Sequence, residues 1–473
     1  MNITELSAAQ LSEAIHARQV SCREVMAAYL DHIDVCNPAV NAIVSRRDRD
    51  ELLAESAVCD EEIAHDLSRG WMHGMPQAIK DLAAAKGLPM TMGSPLLEHF
   101  VPDDDCLMVA RMKAAGCVVI GKTNVPEFGL GSHTFNEVFG VTRNPIDLDR
   151  TAGGSSGGAA VALATHMLPV ADGSDYMGSL RNPAAWNNIF GYRPSQGRVP
   201  GSPERDSFMA QMSTEGPMAR TVLDVALLLG SQAGYDRGAP NSLSGRLDEF
   251  ETVARARVAL EGDATGVRVG WLGDLDGHLA MEPGILNVCN EGLQRLAELG
   301  CHVEPTAFDM SPARVWEAWV VWRHVLVSAS LRPLLVNRAN RERVKPEALW
   351  EFDNGELVTG PQISRASSER TVFYSRVTDL FDRFDVLALP TAQVWPFEVT
   401  ERWPHRIGDR EMDTYHGWME ATSYATFAGL PAISVPVGFD DRGLPMGMQL
   451  IGRPRGDVEL LQLANAYEMT ISR

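Results

Sequence analysis

Three patterns in the 473-residue sequence carry residue types and spacings that could do chemistry, and each would do a different kind. Gly116-Cys-Val-Val-Ile-Gly121-Lys122-Thr123 fits GxxxxGK[ST], the signature of a loop whose backbone N–H groups cradle phosphate. Gly153-Gly154-Ser155-Ser156-Gly157 fits GxSxG, the sharp turn that presents a nucleophilic serine in α/β-hydrolases. The third pattern is spread over three segments. Gly74-Met-Pro-Gln-Ala-Ile-Lys80-Asp81 places a lysine after an apolar dipeptide, and Arg150-Thr-Ala-Gly-Gly-Ser155-Ser-Gly-Gly supplies a Gly/Ser loop. Asp172-Gly-Ser-Asp-Tyr-Met-Gly-Ser179-Leu-Arg181 then supplies a second serine.

Local context weighs against the first two. A phosphate loop must bend so that its N–H groups converge on the anion. The residues inside this one, Cys-Val-Val-Ile, suit an extended buried strand followed by a turn. A nucleophile elbow needs a buried strand running into the serine. Here the stretch from Asn144 to Gly154 is polar and turn-forming, and Gly158-Ala-Ala-Val-Ala-Leu-Ala reads as a small-residue helix. Alone, that segment is a glycine-rich loop entering a helix.

The elements that must position these residues are legible from periodicity. Ser7 with Gln10 and Ser21 with Glu24 have capping-box spacing. Leu11 and Ile15 share one helical face, as do Met26, Leu30 and Ile33, so two helices open the chain. Asn37-Pro38 is expected to stop the second. From about residue 66, short apolar runs are separated by Gly and Pro. Residues 117–120, 168–171, 267–272, 386–389 and 433–437 read as buried strands. Ile285, Val288, Cys289, Leu293 and Leu296 line one face of a helix that Gly300 ends. Strands alternating with helices give an α/β fold with a largely parallel or mixed sheet. The expectation is a single large domain with a mixed central β-sheet flanked by helices. A helical segment, residues 1–65, would pack on the body, residues 66–473. Residues 230–266, with several Gly, Pro and charged positions, read as a surface excursion.

Composition narrows the function. Hydrophobic residues make up 45% and charged residues 22%, the balance of a globular protein with material for a core. A net charge of −20 repels phosphate backbones, so no nucleic-acid partner is expected. No stretch reaches the ~18–20 apolar residues that span a bilayer, and the N-terminus lacks a basic start followed by an apolar run. The cytoplasm is the expected compartment. The 7 scattered cysteines include no CxxC pair, and the 12 histidines no HExxH. No metal and no cofactor are expected.

Taken together, the Lys80, Ser155 and Ser179 segments resemble the amidase signature family of Ser-cisSer-Lys hydrolases. Gly216-Pro-Met-Ala-Arg-Thr221, Asp385-Val-Leu-Ala-Leu-Pro-Thr391, Gly429-Leu-Pro-Ala-Ile-Ser-Val-Pro436 and Gly443-Leu-Pro-Met-Gly-Met-Gln449 look like later landmarks of the same family. The resemblance runs from about residue 25 onward, with a signature core at about 70–220. It implies an amidohydrolase of small amides with Ser179 as nucleophile, Ser155 as bridging serine after a cis peptide, and Lys80 as general base. It also implies an oxyanion loop at Tyr176, Met177, Gly178 and Ser179. Many members have Gly-Gly before the nucleophile where this chain has Met177-Gly178. Asp175, Arg181 and Ser156 would support the loop, and Asp81 could oppose deprotonation of Lys80 if it points inward.

Alternatives follow from the same resemblance: the amidase subunit of a tRNA-dependent amidotransferase, an aryl ester or carbamate hydrolase, or an inactive scaffold. The first typically has Gln after the arginine, where this chain has Asn182. Family habit also allows a homodimer through the N-terminal helices. Trp316, Trp319, Trp322, Trp395, Trp403 and Trp418 could line an aryl or acyl pocket, although core packing is the commoner use of tryptophan.

Overall fold

A computed structural model describes residues 2–201 and 206–471; residues 202–205, within the expected 70–220 core, and 1, 472 and 473 lie outside them. Ser7 and Ser21 begin the helices Ala8–His16 and Cys22–Val40, each with a reciprocal capping box. The second helix does not stop at Asn37-Pro38. It runs through Pro38 to Val40 and ends on Asn41, which takes a left-handed conformation. Asn37 shapes that end: its side chain accepts from the N–H groups of Ala42 and Ile43 and donates to Ile43 O.

The first sheet is small. β1 (Ile43–Val44) pairs antiparallel with β3 (Val118–Thr123), and β2 (Pro76–Lys80) pairs parallel with β3, Lys80 opposite Thr123. A ribbon of β4 (Phe135–Asn136) and β5 (Gly140–Val141) follows. The central sheet is built from β6 (Ala171–Asp175), β7 (Phe190–Arg193), β8 (Thr214–Ala219), β9 (Arg268–Trp271), β10 (His302–Pro305) and β11 (Val386–Pro390). After a second ribbon, β12 (Arg406–Ile407) with β13 (Arg410–Glu411), β14 (Ala432–Phe439) and β15 (Pro445–Gly452) complete it. Its order is β10-β9-β11-β15-β14-β7-β8-β6, parallel through β10, β9 and β11 and antiparallel thereafter. The fold is therefore a single-domain α/β fold around a mixed 8-stranded sheet.

Helices Arg181–Trp186, Ile285–Glu298 and Asp457–Ile471 pack on β14 and β15. Those two strands are buried along almost their whole length, which explains their near-continuous apolar sequence. The strand expected at 168–171 lies later, at Ala171–Asp175, because the apolar run is the turn that feeds it. The 230–266 excursion is only partly one: helix Val253–Leu260 buries Val253, Ala256 and Leu260.

Residues 116–123 do not form a phosphate loop. Gly121, Lys122 and Thr123 lie within β3, and the Lys122 ammonium donates to Ala83 O and sits 3.8 Å from Asp81. No helix among the described residues is long and apolar enough to cross a membrane.

Candidate active site

Lys80 ends β2 and lies beside β6 of the large sheet. It is 1% exposed. Its backbone N–H donates to Asp172 Oδ2 at 3.1 Å, and Gln77 donates to the other oxygen of that carboxylate at 3.2 Å. The strand pleat places Asp172 and Ser174 two residues apart, on one side of β6. The Lys80 ammonium meets Ser155 Oγ at 2.9 Å, Ser156 Oγ at 2.7 Å, and Ser174 Oγ and O at 3.0 and 3.1 Å. None of these four neighbours is a carboxylate. Burial pushes the lysine down to about 7, against the charges of Asp172, Asp175 and Glu215. Asp81 is turned away from Lys80: it accepts from the Thr91 hydroxyl and N–H and faces Lys122.

Ser155 follows a cis peptide at Gly154–Ser155. The loop before it is held by side chains from another segment. Ser132 donates to Gly154 O at 2.6 Å and accepts from Gly154 N–H at 3.1 Å, while Thr134 donates to Gly153 O at 2.8 Å. Asn182 in turn donates to Ser132 Oγ. The helix Gly157–Ala164 then enters a very close packing. A Cβ on Gly158 would sit 2.3 Å from Asn124 N, and one on Gly157 would sit 2.2 Å from Thr134 Oγ1. Only glycine fits there.

Ser179 lies at the start of the helix Arg181–Trp186, 7% exposed. Its carbonyl accepts from Ser156 N–H at 3.2 Å, tying the two serine segments together. Its Oγ has no hydrogen-bond partner among the described residues, so Ser155 and Ser179 are neighbours by segment without a hydroxyl contact. Gly178 has φ +78°, and a Cβ there would collide with Thr422 at 2.5 Å. Its N–H donates to Asp175 Oδ1 at 2.8 Å. Of the expected loop donors this one is therefore engaged, leaving the N–H groups of Tyr176, Met177 and Ser179.

Asp175 and Arg181 form a fully buried pair: the guanidinium meets the two carboxylate oxygens at 3.0 Å each. Arg181 also reaches Gln449 Oε1, Thr422 O and Thr426 Oγ1, and Arg193 contacts Asp175 from the other side. The two guanidiniums hold the Asp175 carboxyl well below the usual carboxylate range despite burial. Its stabilising effect is present above that usual range and is lost only as pH falls through the depressed value, in strong acid. Asp175→Asn would leave two buried cations short of a counter-charge. A loss of about 3–5 kcal/mol is expected, read as a lower denaturation midpoint; a change within about 1 kcal/mol would refute the pairing as a stabilising device.

Leu130, Gly131, Ser132, Tyr415 and Trp418 border a narrow crevice of about 10 Å³ beside these loops. A larger hollow of about 450 Å³, lined by Pro95, Glu127, Phe135, Lys345 and Arg402 among others, adjoins it but touches neither serine nor Lys80. Sequence reasoning missed Ser132, Thr134, Asp172, Ser174 and Gln77, whose roles are set by distant neighbours. The Gly-Ser-His-Thr run at 131–134 is a turn-like signal without a mechanism of its own. Of the six tryptophans, Trp319, Trp322, Trp395 and Trp418 are buried. Trp418 stacks on Trp186 at 5.8 Å. Cys59, Glu62 and His73 bring metal-binding atom types within 4.8 Å. There His73 is committed to the backbone, with Nδ1 near Arg69 N–H at 3.1 Å and Nε2 near Cys59 O at 2.9 Å.

The family model described as Amidase matches residues 24–461. The acylamidase of Rhodococcus erythropolis is 32% identical over 99% of this chain and 96% of its own. The A subunit of glutamyl-tRNA(Gln) amidotransferase of Thermus thermophilus is 35% identical over 98% of each chain. A bacterial aryl acylamidase of the amidase signature family superimposes with a TM-score of 0.91, at 32% identity over 98% of this chain and 96% of its own. With a lysine, a cis-linked serine and a second serine gathered around one loop, and with these relatives matching along its whole length, the chain belongs to the amidase signature family and is an amide hydrolase.

Proposed function

We propose that the chain hydrolyses small amides through an ester of Ser179, with Ser155 carrying protons between Ser179 and a neutral Lys80. The observation that carries this reading is the Lys80–Ser155 contact of 2.9 Å at a buried lysine lowered to about 7. A lysine is a base only when neutral, and burial without a contacting carboxylate favours that form. Hydroxyl groups of Ser155, Ser156 and Ser174 can both give to and take from a neutral amine.

Ser179 Oγ attacks the amide carbon as its proton passes to Ser155, whose own proton passes to Lys80. The developing oxyanion is held by the N–H groups of Tyr176, Met177 and Ser179. The C–N bond breaks as Ser155 protonates the departing amine and is resupplied by Lys80. Water then attacks the ester, its proton passing through Ser155 to Lys80; as the ester C–O bond breaks that proton returns by the same pair to Ser179 Oγ, leaving the free acid and a neutral Lys80. The Ser155–Ser179 contact closes on substrate binding, as such contacts commonly tighten in the Michaelis complex. Asp175, Arg181 and Ser156 fix the loops that bring these groups together.

The test is chelator-insensitive release of amine by the purified chain, with fluorophosphonate labelling mapped to Ser179. Ser155→Ala is expected to lower kcat/KM for alkyl amides about 10²–10⁴-fold, the worth of general acid–base catalysis. It should lower it less for p-nitrophenyl esters, whose leaving group needs no proton. Equal losses on both would sink the relay.

A second reading, the A subunit of a tRNA-dependent amidotransferase, is favoured by the 35% identity to that subunit of Thermus thermophilus. Release of ammonia from simple amides by the chain alone, without partner subunits, decides for the free-standing amidase.

A further inference from the structure

Arg323, on the helix Pro312–Leu335, is 3% exposed and tied down at two corners. Its Nε donates to Glu351 Oε1 at 2.5 Å and its Nη2 to the Tyr415 hydroxyl at 2.6 Å. The Tyr415 hydroxyl donates onward to Glu351 Oε1 at 2.6 Å, and His324 Nδ1 lies 2.8 Å from Glu351 Oε2. Three rings surround the guanidinium, with Tyr176 at 5.3 Å, Trp319 at 5.4 Å and Tyr415 at 5.8 Å. Two of these rings border the active site. Tyr176 opens the loop that leads to Ser179, and Tyr415 lies 4.0 Å from the Cβ position of Gly131, beside the crevice.

Hydrogen bonding in this cluster is one-sided. Tyr176 Oη and Trp319 Nε1 are enclosed and have no partner among the described residues. Arg323 Nη1 has none among the described residues. His416 Nε2, also enclosed and unpartnered, lies 3.9 Å from Glu351 Oε1, whose charge favours the tautomer with its proton there. Indole N–H and guanidinium groups only donate, and a phenol hydroxyl readily does. Glu351, the acceptor present, already has both oxygens engaged. Buried polar groups are normally paired, so a set of idle donors on touching side chains beside a nucleophile loop marks the place of an acceptor.

We propose that Tyr176, Trp319 and Arg323 form a subsite for a second acceptor oxygen of the substrate, so that preferred amides carry a carboxylate or a further carbonyl besides the scissile one. This rests on Ser179 being the nucleophile. The charges of Arg323 and Glu351 offset each other, so the shared chemistry is the acceptor oxygen rather than a net negative charge.

The experiment measures kcat/KM in two series. In the acyl series butanamide is compared with 4-oxopentanamide and succinamate; in the amine series acetanilide is compared with 4-acetylacetanilide and 4-acetamidobenzoate. The expected result is a gain of at least tenfold for acceptor-bearing members of one series, falling to about threefold or less in Tyr176→Phe and Trp319→Phe. Each ratio is taken within one variant, so a general loss of activity or folded protein divides out. A gain confined to the carboxylates assigns the subsite to anions; a gain shared by the ketones assigns it to neutral acceptors. No gain in either series, or a gain that both variants retain, overturns the proposal. Failure of the nucleophile reading shows separately, as turnover of any of these amides that survives Ser179→Ala.

Discussion

Ser179→Ala is expected to fold like the parent and to lose about 10⁴-fold or more of kcat on every amide the parent turns over. The two halves of that result have separate physical origins. The hydroxyl is nearly buried yet engages no described residue, so its removal orphans nothing, and stability should stay within about 0.5–1 kcal/mol. The chemistry has no substitute for it. The hydroxyls of Ser155, Ser156 and Ser174 are at hand, but Lys80 engages all three, and Ser155 is further held by a loop that Ser132 and Thr134 fix from behind. Residual turnover is then limited to what oriented N–H donors do for attack by water. The measurement is steady-state hydrolysis of a p-nitroanilide, with denaturation curves run alongside. Retention of a tenth of the parental rate by a well-folded variant would transfer the nucleophile to Ser155.

The candidate site is legible in the sequence as an ordered set of segments, and the strand boundaries of the sheet that carries it are less so. Lys80, Ser155 and Ser179 stand out through the order of three linked segments and their resemblance to the amidase signature, since the glycine/serine loop alone reads as a turn entering a helix. The strand that carries Ser174 lies several residues later than expected. Ala171-Asp-Gly-Ser-Asp175 lacks the apolar alternation of a strand, since its residues serve Lys80 and the loop instead of a hydrophobic face. Pro38 is expected to stop its helix, but a proline near a helix end sacrifices little, and the Asn37 side chain steadies the turn that follows by accepting from the N–H groups of Ala42 and Ile43. Periodicity served best where packing alone decides, as in the helix Ile285–Glu298.

What sequence could not reach is the set of long-range contacts. Ser132 meets Gly154 and Asn182, Asp175 meets Arg193, and Arg323 meets Glu351 and Tyr415. Each joins residues far apart in the chain, and none has a local pattern. The Met177-Gly178 departure also becomes intelligible. The second position needs glycine, because its φ is positive and Thr422 presses on it. Met177 is almost fully buried, and its side chain joins the hydrophobic core. The loop has room for methionine because that side chain packs inward.

The pH dependence of kcat/KM should show one ascending limb with an apparent pKa near 7, the value to which burial brings Lys80. The sign follows from the role. Below that value Lys80 is protonated and cannot take a proton from Ser155, so the rate falls about tenfold for each further pH unit. Lys80→Ala should remove at least about 10³-fold of activity at pH 8 and abolish the limb. The lysine also leaves a signature in stability, because its folded-state value lies below its ordinary one of 10.5. Between those values the unfolded chain binds the proton and the folded chain does not, so this group makes stability rise with pH across that window. Comparison with Lys80→Met isolates the effect from other titrating groups. The parent should gain on the variant in denaturation free energy from pH 7 to pH 10, and the gap should be constant below about pH 6. A difference that stays flat from pH 7 to pH 10, or turns against the parent only above that range, would mean that Lys80 is held charged by Asp172 and Asp175. In that case the base that opens the reaction would have to be sought elsewhere.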